Sequence, residues 1–360
     1  MRESIEVKAN IMKKLPNVDE KYLLEQLRNL LLIPSPTGYT EKAITYLEEQ
    51  LGDLTGISYH RTSKGALVAN WEGDLKTSPR ALTVHIDTLG AMVKEIKSSG
   101  RLKLTQLGGY SWNTVEGEGC TVLTSQGESI RGSILLHSAS AHVYGKEVSN
   151  TERNADTLEV RLDLLTSSAD ETRQAGIEVG NFVFLDTRLE INQGYIRSRH
   201  LDDKACAACL LAALQALQSA DLQPAQDTLF HFSNYEEVGH GAAAGIPDGI
   251  RELVAVDMAA VGDGQASDEH HATLCVKDSG GPYHHGLSQR LRSLAEEYQI
   301  PFVTDIYPYY GSDGEAFWRA GGDVAVALIG PGVDASHNYE RTHVDALLAT
   351  TEWIMAYLLN

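Results

Sequence analysis

The heptapeptide ALTVHID at residues 81–87 decides how this chain folds, because an apolar, β-rich run ends there on an imidazole and a carboxylate. Four later apolar runs end on, or lead directly into, the same side-chain types: YIRSRHLDDK (195–204), TLFHFSNYEE (228–237), ELVAVD (252–257) and the run from DVAVALIG to SHNYERTH (323–343). In open α/β sheets, sites form at the edge where the strands end. We therefore expect one sheet edge to gather His, Asp and Glu side chains from five segments.

These segments supply the ligand types that a pair of divalent metal ions prefers. Imidazole nitrogens and carboxylate oxygens bind zinc and similar ions, and two such ions in one site serve hydrolysis. The pattern predicts a two-metal hydrolase. Mixed His and carboxylate ligands suit zinc, cobalt or manganese, so the identity of the metal is left open.

Composition limits the other classes of function. The chain has 360 residues, 42% of them hydrophobic, which is enough for two domains. Its formal net charge of −19 argues against nucleic acids and anionic membrane surfaces as partners. No apolar stretch reaches the roughly 18 residues that a membrane-spanning helix needs. We expect neither a nucleic-acid nor a membrane partner.

Cysteine usage and the N-terminus predict a cytoplasmic protein. The four cysteines show no disulfide-framework spacing, and Cys206 and Cys209 form a CxxC inside a small-residue helix, where we interpret both as buried apolar side chains. Residues 1–17, MRESIEVKANIMKKLPN, lack the apolar region of a secretory signal.

Strand and helix patterns alternate in two separated stretches, 1–87 and 196–360. Residues 204–218 form a small-residue apolar helix, and 287–300 form an amphipathic one. Residues 88–195 instead show short segments with period-two alternation and regular turns, which are typical of a small β-barrel or sandwich. The predicted fold class is α/β, a three-layer αβα catalytic domain with an inserted, small all-β barrel-like domain.

The first candidate site residues lie on a strand end and a helix start. His85 and Asp87 face the same side of a predicted strand, so the carboxylate can fix the imidazole tautomer for metal binding. The alternative is a polar pair that merely ends a strand. Asp202 either bridges two metal ions or, together with Asp203, begins the following helix.

The other candidates come from three later segments. Glu236 and Glu237 point to different sides, so one can bind metal while the other acts as general base. Asp257 ends an apolar strand, where an unpaired carboxylate is costly. His337 and His343 both follow the last strand, and either is a candidate ligand. Each signal is weak alone, but together the segments supply a full ligand set.

Five motifs occur in a characteristic order: HIDTLGAMVKEI (85–96), SRHLDDK (198–204), EEVG (236–239), AVDMA (255–259) and YERTH (339–343). In this order they resemble the tetrahedral, dodecamer-forming metalloaminopeptidase family, which includes glutamyl aminopeptidases and proteins once labelled cellulase M. The resemblance extends over about residues 20 to 355 and includes the position of the inserted β segment.

The resemblance implies two divalent metal ions per subunit, with zinc foremost. Their ligands would be His85 and Asp257 for one ion, Glu237 and His343 for the other, and Asp202 as the bridge.

Two further residues acquire catalytic roles through the resemblance. Glu236 would be the general base, and Asp87 the partner of His85. The inserted domain, 88–195, would form dimers that assemble into a homo-oligomeric shell of twelve subunits. The substrates would be short peptides, cleaved from the N-terminus.

The chain departs from the family pattern in ways that bear on substrate. Thr88 stands where such proteins often carry an acid, and GSDG (311–314) where they often have GGTD. The LDDK (201–204) and ERTH (340–343) motifs resemble those of a subgroup associated with a bacterial dipeptide osmoprotectant. The substrate is therefore left open between general peptides and one specific dipeptide.

Three functions are compatible with these residues. The first is a metal-dependent aminopeptidase, and the second is a two-metal deacylase or carboxypeptidase that acts on N-blocked dipeptides. The third is a metal-binding or assembly protein without turnover, which would leave Glu236 without a role.

Overall fold

The structure is a computed structural model that describes residues 14–360. Most of the N-terminal segment that was judged not to be a secretory signal therefore lies outside the described residues. Within residues 14–360, no helix is both long and apolar enough to cross a membrane.

The described residues form nine α-helices. They are α1 (Glu20–Leu32), α2 (Glu41–Gly52), α3 (Ala141–Tyr144), α4 (Glu147–Asn150), α5 (Ala169–Gln174), α6 (Leu201–Ser219), α7 (His285–Tyr298), α8 (Asp313–Arg319) and α9 (Val344–Leu358). Single 3-10 turns occur at Trp112–Thr114 and Glu236–Val238. The helices expected at residues 204–218 and 287–300 are present as α6 and α7, whereas the short α3, α4 and α8 were not expected.

The strands of the same residues number eighteen. They are β1 (Ile57–Arg61), β2 (Leu67–Trp71), β3 (Leu75–His85), β4 (Gly90–Ile96), β5 (Leu102–Leu107), β6 (Gly119–Leu123), β7 (Ser129–Leu136), β8 (Leu158–Leu162), β9 (Phe182–Leu185), β10 (Glu190–Asn192), β11 (Tyr195–Ser198), β12 (Gln226–Ser233), β13 (Glu252–Val256), β14 (Ala259–Val261), β15 (Ala272–Lys277), β16 (Phe302–Ile306), β17 (Ala325–Asp334) and β18 (Glu340–His343).

Twelve of these strands form one large, mixed sheet. Its main path runs β1-β2-β12-β3-β13-β17-β18-β11-β10, and β14, β15 and β16 join beside β17. The neighbours β12, β3, β13 and β17 are parallel, so their carboxyl ends lie at one edge. This edge is where the sequence places its His, Asp and Glu residues.

Helices cover the two faces of this sheet unequally. On one face α1, α2, α6, α7 and α9 enclose a large apolar core. α6 is buried along almost its whole length, because its alanines and cysteines allow α1 and α9 to pack closely against it. The other face carries a smaller core beneath α8 and the segment before β13. The predicted α/β class is confirmed, with a thinner second helical layer.

The strands β4 to β9 form a separate closed barrel, with β4-β5-β8-β7-β6-β9 as the strand order and antiparallel pairing throughout. Alternate side chains fill a core of its own, as the period-two pattern predicted. β10 and β11 follow the barrel in sequence but pair into the large sheet. Arg199, which is buried, reaches back to the barrel and forms an ion pair with Glu118 at 2.9 Å.

Candidate metal centre

Five chain segments meet at the carboxyl edge of the large sheet. β3 ends at His85, Asp257 follows β13 directly, and the turn with Glu236 and Glu237 follows β12. Asp202 lies in the first turn of α6, where the backbone is not yet helical. The segment between β17 and β18 contributes the last group, an imidazole. The structure therefore brings together residues that lie far apart in sequence.

These residues form two ligand groups that share one carboxylate. His85, Asp202 and Asp257 form the first group, and Asp202, Glu237 and His337 form the second; within each group the ligand atoms lie within 4.8 Å of one another. Asp202 Oδ1 is 2.9 Å from His85 Nε2, and its Oδ2 is 3.4 Å from His337 Nε2. One carboxylate therefore presents each of its oxygens to a different imidazole.

Both imidazoles are held with the same nitrogen facing the carboxylates. His85 Nδ1 donates to the carbonyl oxygen of Asp87 at 2.9 Å, and His337 Nδ1 donates to the carbonyl of Gly109. In the neutral form of the ring, which is the form that binds a metal ion, each Nε2 would then direct its lone pair into the cluster. A ring whose second nitrogen is fixed by a carbonyl is the usual arrangement of a metal-binding histidine.

The structure does not bring His343 into either group. Its Nδ1 lies 3.0 Å from Asp345 Oδ2, in a different cluster at the start of α9. His337, the other histidine of SHNYERTH, takes the place that the resemblance gave to His343. The physical reason is that β18 begins at Glu340 and carries His343 to its far end, whereas His337 lies in the preceding turn, with a left-handed backbone (φ 62°).

Asp87 acts on different atoms from those expected. Its carboxylate Oδ1 is 3.8 Å from His85 Nδ1, beyond hydrogen-bond distance, and it is the Asp87 backbone carbonyl that accepts from the ring. The carboxylate instead accepts the backbone N–H groups of Glu236 at 3.1 Å and Glu237 at 3.4 Å, and the hydroxyl of Thr37 at 2.6 Å. Asp87 thus fixes the turn that carries both glutamates.

Glu340 has a matching role on the opposite side, which sequence reasoning missed. It is 1% exposed, and its carboxylate accepts the N–H groups of Leu201 at 2.7 Å, Asp202 at 3.2 Å and His337 at 3.0 Å. One side chain therefore holds the backbone of two candidate ligands. The available signal was an acid within SHNYERTH, but spacing alone does not reveal which backbone groups it reaches.

Crowding of acids shifts the proton affinities of the cluster. Burial and the charge of Asp202 raise the pKa of Asp257 to about 7 and that of Glu237 well above its usual range. Burial also acts to raise the pKa of Asp202, but hydrogen bonds from His337 and His85 hold it below the ordinary value. Bound cations would compensate this concentration of negative charge.

The donor set fits divalent metal ions on a second, independent ground. Glu237 Oε1 is buried and has no hydrogen-bond partner among the described residues. A buried carboxylate oxygen without a partner is costly, and a coordinated cation removes that cost. The residues present therefore fit the divalent metal ions that the sequence pattern predicts.

Glu236 lies beside the cluster and outside both ligand groups. Its Oε2 is 3.8 Å from His85 Nε2, and burial together with the nearby Asp257 raises its pKa well above the usual range. It lines a cavity of about 380 Å³ together with Tyr309, Tyr310 and Arg319. A carboxylate at the wall of a cavity, beside the ligand groups but outside them, is placed to exchange a proton with a bound reactant.

A model of the M42 glutamyl aminopeptidase family matches residues 65–353, which include the whole cluster. The chain belongs to the M42 aminopeptidase family. This M42 protein is consequently a peptidase, a hydrolase that acts on peptides, and the family implies a divalent metal cofactor for which the two ligand groups are candidates.

Individual relatives agree with this assignment. YhfE of Bacillus subtilis, a proposed aminopeptidase, is 46% identical over 336 residues, which cover 93% of this M42 chain and 96% of YhfE. The glutamyl aminopeptidase of Lactococcus lactis is 24% identical, with 94% of this chain and 96% of the relative covered.

A solved structure agrees at the level of the fold. The TET1 peptidase of Pyrococcus horikoshii, described as able to assemble into a tetrahedron or a large octahedral shell, superposes with a TM-score of 0.82 at 20% identity. The match covers 94% of this chain and 99% of that one.

Proposed function

We propose that this M42 protein is an aminopeptidase that uses two divalent metal ions and Glu236 as general base. The observation that carries the proposal is that Asp202 belongs to both ligand groups and presents one oxygen to each. Shared carboxylates are suited to hold two ions close together, roughly 3.5–4 Å apart in two-metal hydrolases. Zinc is the foremost candidate, and cobalt or manganese also suits these ligands.

The ligands divide between the two positions by their placement. His85 and Asp257 would hold one ion, Glu237 and His337 the other, and Asp202 both. When bound, such ions polarise a carbonyl and lower the pKa of water. Asp87 and Glu340 keep the ligand-bearing backbone in position through the N–H groups that they accept.

Glu236 supplies the proton transfer. Its carboxylate takes a proton from the attacking water and gives it to the nitrogen of the scissile bond, so that this nitrogen departs as a neutral amine and not as an anion. The cavity that Glu236 lines adjoins both ligand groups, and the free α-amine of the substrate would bind to one of the ions, which favours exopeptidase action.

The same proposal extends to organisation. The catalytic domain would comprise residues 1–87 and 196–360, and the segment 88–195 would be an inserted domain through which subunits dimerise, with its last strand, β10, pairing back into the large sheet. The dodecamer described for a PhTET1 structure and the tetrahedron described for the Pyrococcus TET1 peptidase support assembly of such dimers into a dodecamer. A closed shell admits only short peptides, which is consistent with removal of single N-terminal residues.

The test is hydrolysis of matched peptides with free and acetylated N-termini. The protein is stripped with chelator and reloaded separately with zinc, cobalt and manganese. We expect cleavage of the free-amine peptides only, restored by metal. Cleavage of the acetylated peptides would instead indicate the deacylase or carboxypeptidase reaction, and full metal loading without any cleavage would contradict the proposal.

A further inference from the structure

A second cluster of imidazoles and a carboxylate lies outside the catalytic cavity. His270, which follows β14, meets His343 at the end of β18 and Asp345 in the first turn of α9. One ligand atom from each of the three lies within 4.8 Å of the others. None of the three lines the cavity that contains Glu236.

The spacing of these atoms is close to what a tetrahedral ion requires. Asp345 Oδ2 is 3.0 Å from His343 Nδ1 and 3.3 Å from His270 Nδ1. Ligand atoms about 2.1 Å from a tetrahedral zinc ion lie about 3.4 Å from one another. Small adjustments of the side chains would therefore complete a three-ligand site.

Neighbouring groups direct the correct nitrogens towards the carboxylate. Tyr195 Oη lies 3.3 Å from His270 Nε2, so a hydrogen bond there leaves Nδ1 as the nitrogen that faces Asp345. His343 Nδ1 accepts the backbone N–H of Asp345 at 3.2 Å and therefore carries its lone pair on the same side. Nδ1 of both rings therefore faces the same carboxylate oxygen, Asp345 Oδ2.

Packing restricts the rings to this arrangement. Tyr195 meets His343 edge-on, with ring centroids 4.8 Å apart. The guanidinium of Arg341 lies over the Tyr195 ring, 4.2 Å from its centroid. Gly194 lies against the His343 ring, and a Cβ there would be 2.3 Å from Nε2. Restricted side chains lose little entropy on binding an ion.

We propose that His270, His343 and Asp345 form a third metal site, which takes a borderline divalent ion such as Zn²⁺. Two imidazoles, one carboxylate and a fourth position open to solvent are the ligand set that such ions accept. Asp345 is 56% exposed and His270 43%, so the ion would enter from the surface. It would tie the segment after β14 to the start of α9. Because His343 Nδ1 has one lone pair and uses it to accept the Asp345 N–H, an ion must displace that hydrogen bond, and we expect weaker binding than at the buried cluster.

The experiment counts zinc per chain. Wild-type protein and the variants His270→Ala and Asp345→Asn are equilibrated with Zn²⁺ alone, and bound zinc is measured by elemental analysis. We expect each variant to bind one equivalent less than wild type. Because these residues lie outside the cavity, we also expect His270→Ala to hydrolyse free-amine peptides at the wild-type rate, which shows in addition that it is folded.

The matched control is His271→Ala. His271 is the next residue and faces one carboxylate, Asp268, at 2.8 Å, but it has no second imidazole in that pair. We expect this variant to bind as much zinc as wild type. Equal zinc in wild type, His270→Ala and Asp345→Asn would overturn the proposal, and so would an equal loss in His271→Ala. The difference between variants does not depend on how many ions the catalytic cluster holds.

Discussion

His337 and His343 lie six residues apart in one motif, yet they belong to two different clusters. In the central cluster, His337 Nδ1 donates to a backbone carbonyl, and His337 Nε2 faces the carboxylates of Asp202 at 3.4 Å and Glu237 at 3.6 Å. The cluster of His343 lies at the surface, with one carboxylate that is 56% exposed. The same residue types at similar spacing thus form a deep, acid-rich site and a shallow one.

The difference suggests which property would distinguish the proposed catalytic cluster from the proposed third metal site. In the central cluster, burial and the charge of Asp202 raise the pKa of Glu237 and Asp257, so bound cations would relieve a concentration of buried negative charge. In the peripheral cluster solvent screens the single carboxylate, and no comparable demand exists. Depth and the number of crowded acids therefore set the strength of the site, more than the identity of the ligands.

The largest expected effect comes from Glu236→Gln. The amide keeps the shape of the side chain but cannot accept a proton, so turnover should fall about 100- to 10,000-fold, the usual contribution of general acid–base catalysis. The measurement is kcat for a free-amine peptide, beside zinc content by elemental analysis. Near-wild-type turnover with normal zinc content would show that Glu236 is not the base.

The next prediction compares the two histidines directly, with asparagine introduced at each. His337→Asn should lower kcat/KM by more than about 100-fold, because even outer partners of metal ligands cost about 10- to 100-fold. His343→Asn should leave peptide hydrolysis unchanged, since His343 lies outside the central cluster and asparagine still caps α9. The measurement is kcat/KM of both purified variants with a free-amine peptide. A large loss in His343→Asn with full activity in His337→Asn would restore the assignment that the resemblance implied.

The smallest expected effect concerns stability and not activity, and it comes from replacing His231, a histidine buried without any carboxylate beside it. Its Nδ1 lies 3.1 Å from the Thr83 hydroxyl, and burial, then the charge of Lys64, lowers its pKa to about 3. In the unfolded chain the imidazole gains a proton below about pH 6.5, whereas in the folded protein it stays neutral down to about pH 3. Its contribution to stability is therefore complete above about pH 6.5 and is lost as pH falls.

At about pH 4 this loss is on the order of 3 kcal/mol. His231→Gln should show a shallower fall in the free energy of unfolding between about pH 6.5 and pH 4, measured by urea unfolding at each pH. The same substitution at the exposed His60 serves as the control and should retain the wild-type slope. Identical slopes in all three proteins would contradict the prediction.

Much of the fold could be predicted from local patterns. Helix α1 begins where Asp19 caps it, with Oδ1 accepting from Tyr22 at 3.1 Å, and α6 is buried because alanine and cysteine dominate its length. These properties depend on neighbouring residues only, so periodicity reveals them. α8 was missed because its seven residues are too few for a helical repeat.

The sequence by itself determined the fold class and the side-chain types of the site, because apolar runs form strands and their ends carry the acids and imidazoles. Tertiary structure alone decided which groups meet. The turn before β18 selects His337, and Glu340 reaches the N–H groups of both His337 and Asp202. Asp87 holds a turn almost 150 residues further along the chain. Such contacts depend on the register of distant strands and on single backbone conformations, neither of which is recorded in local spacing.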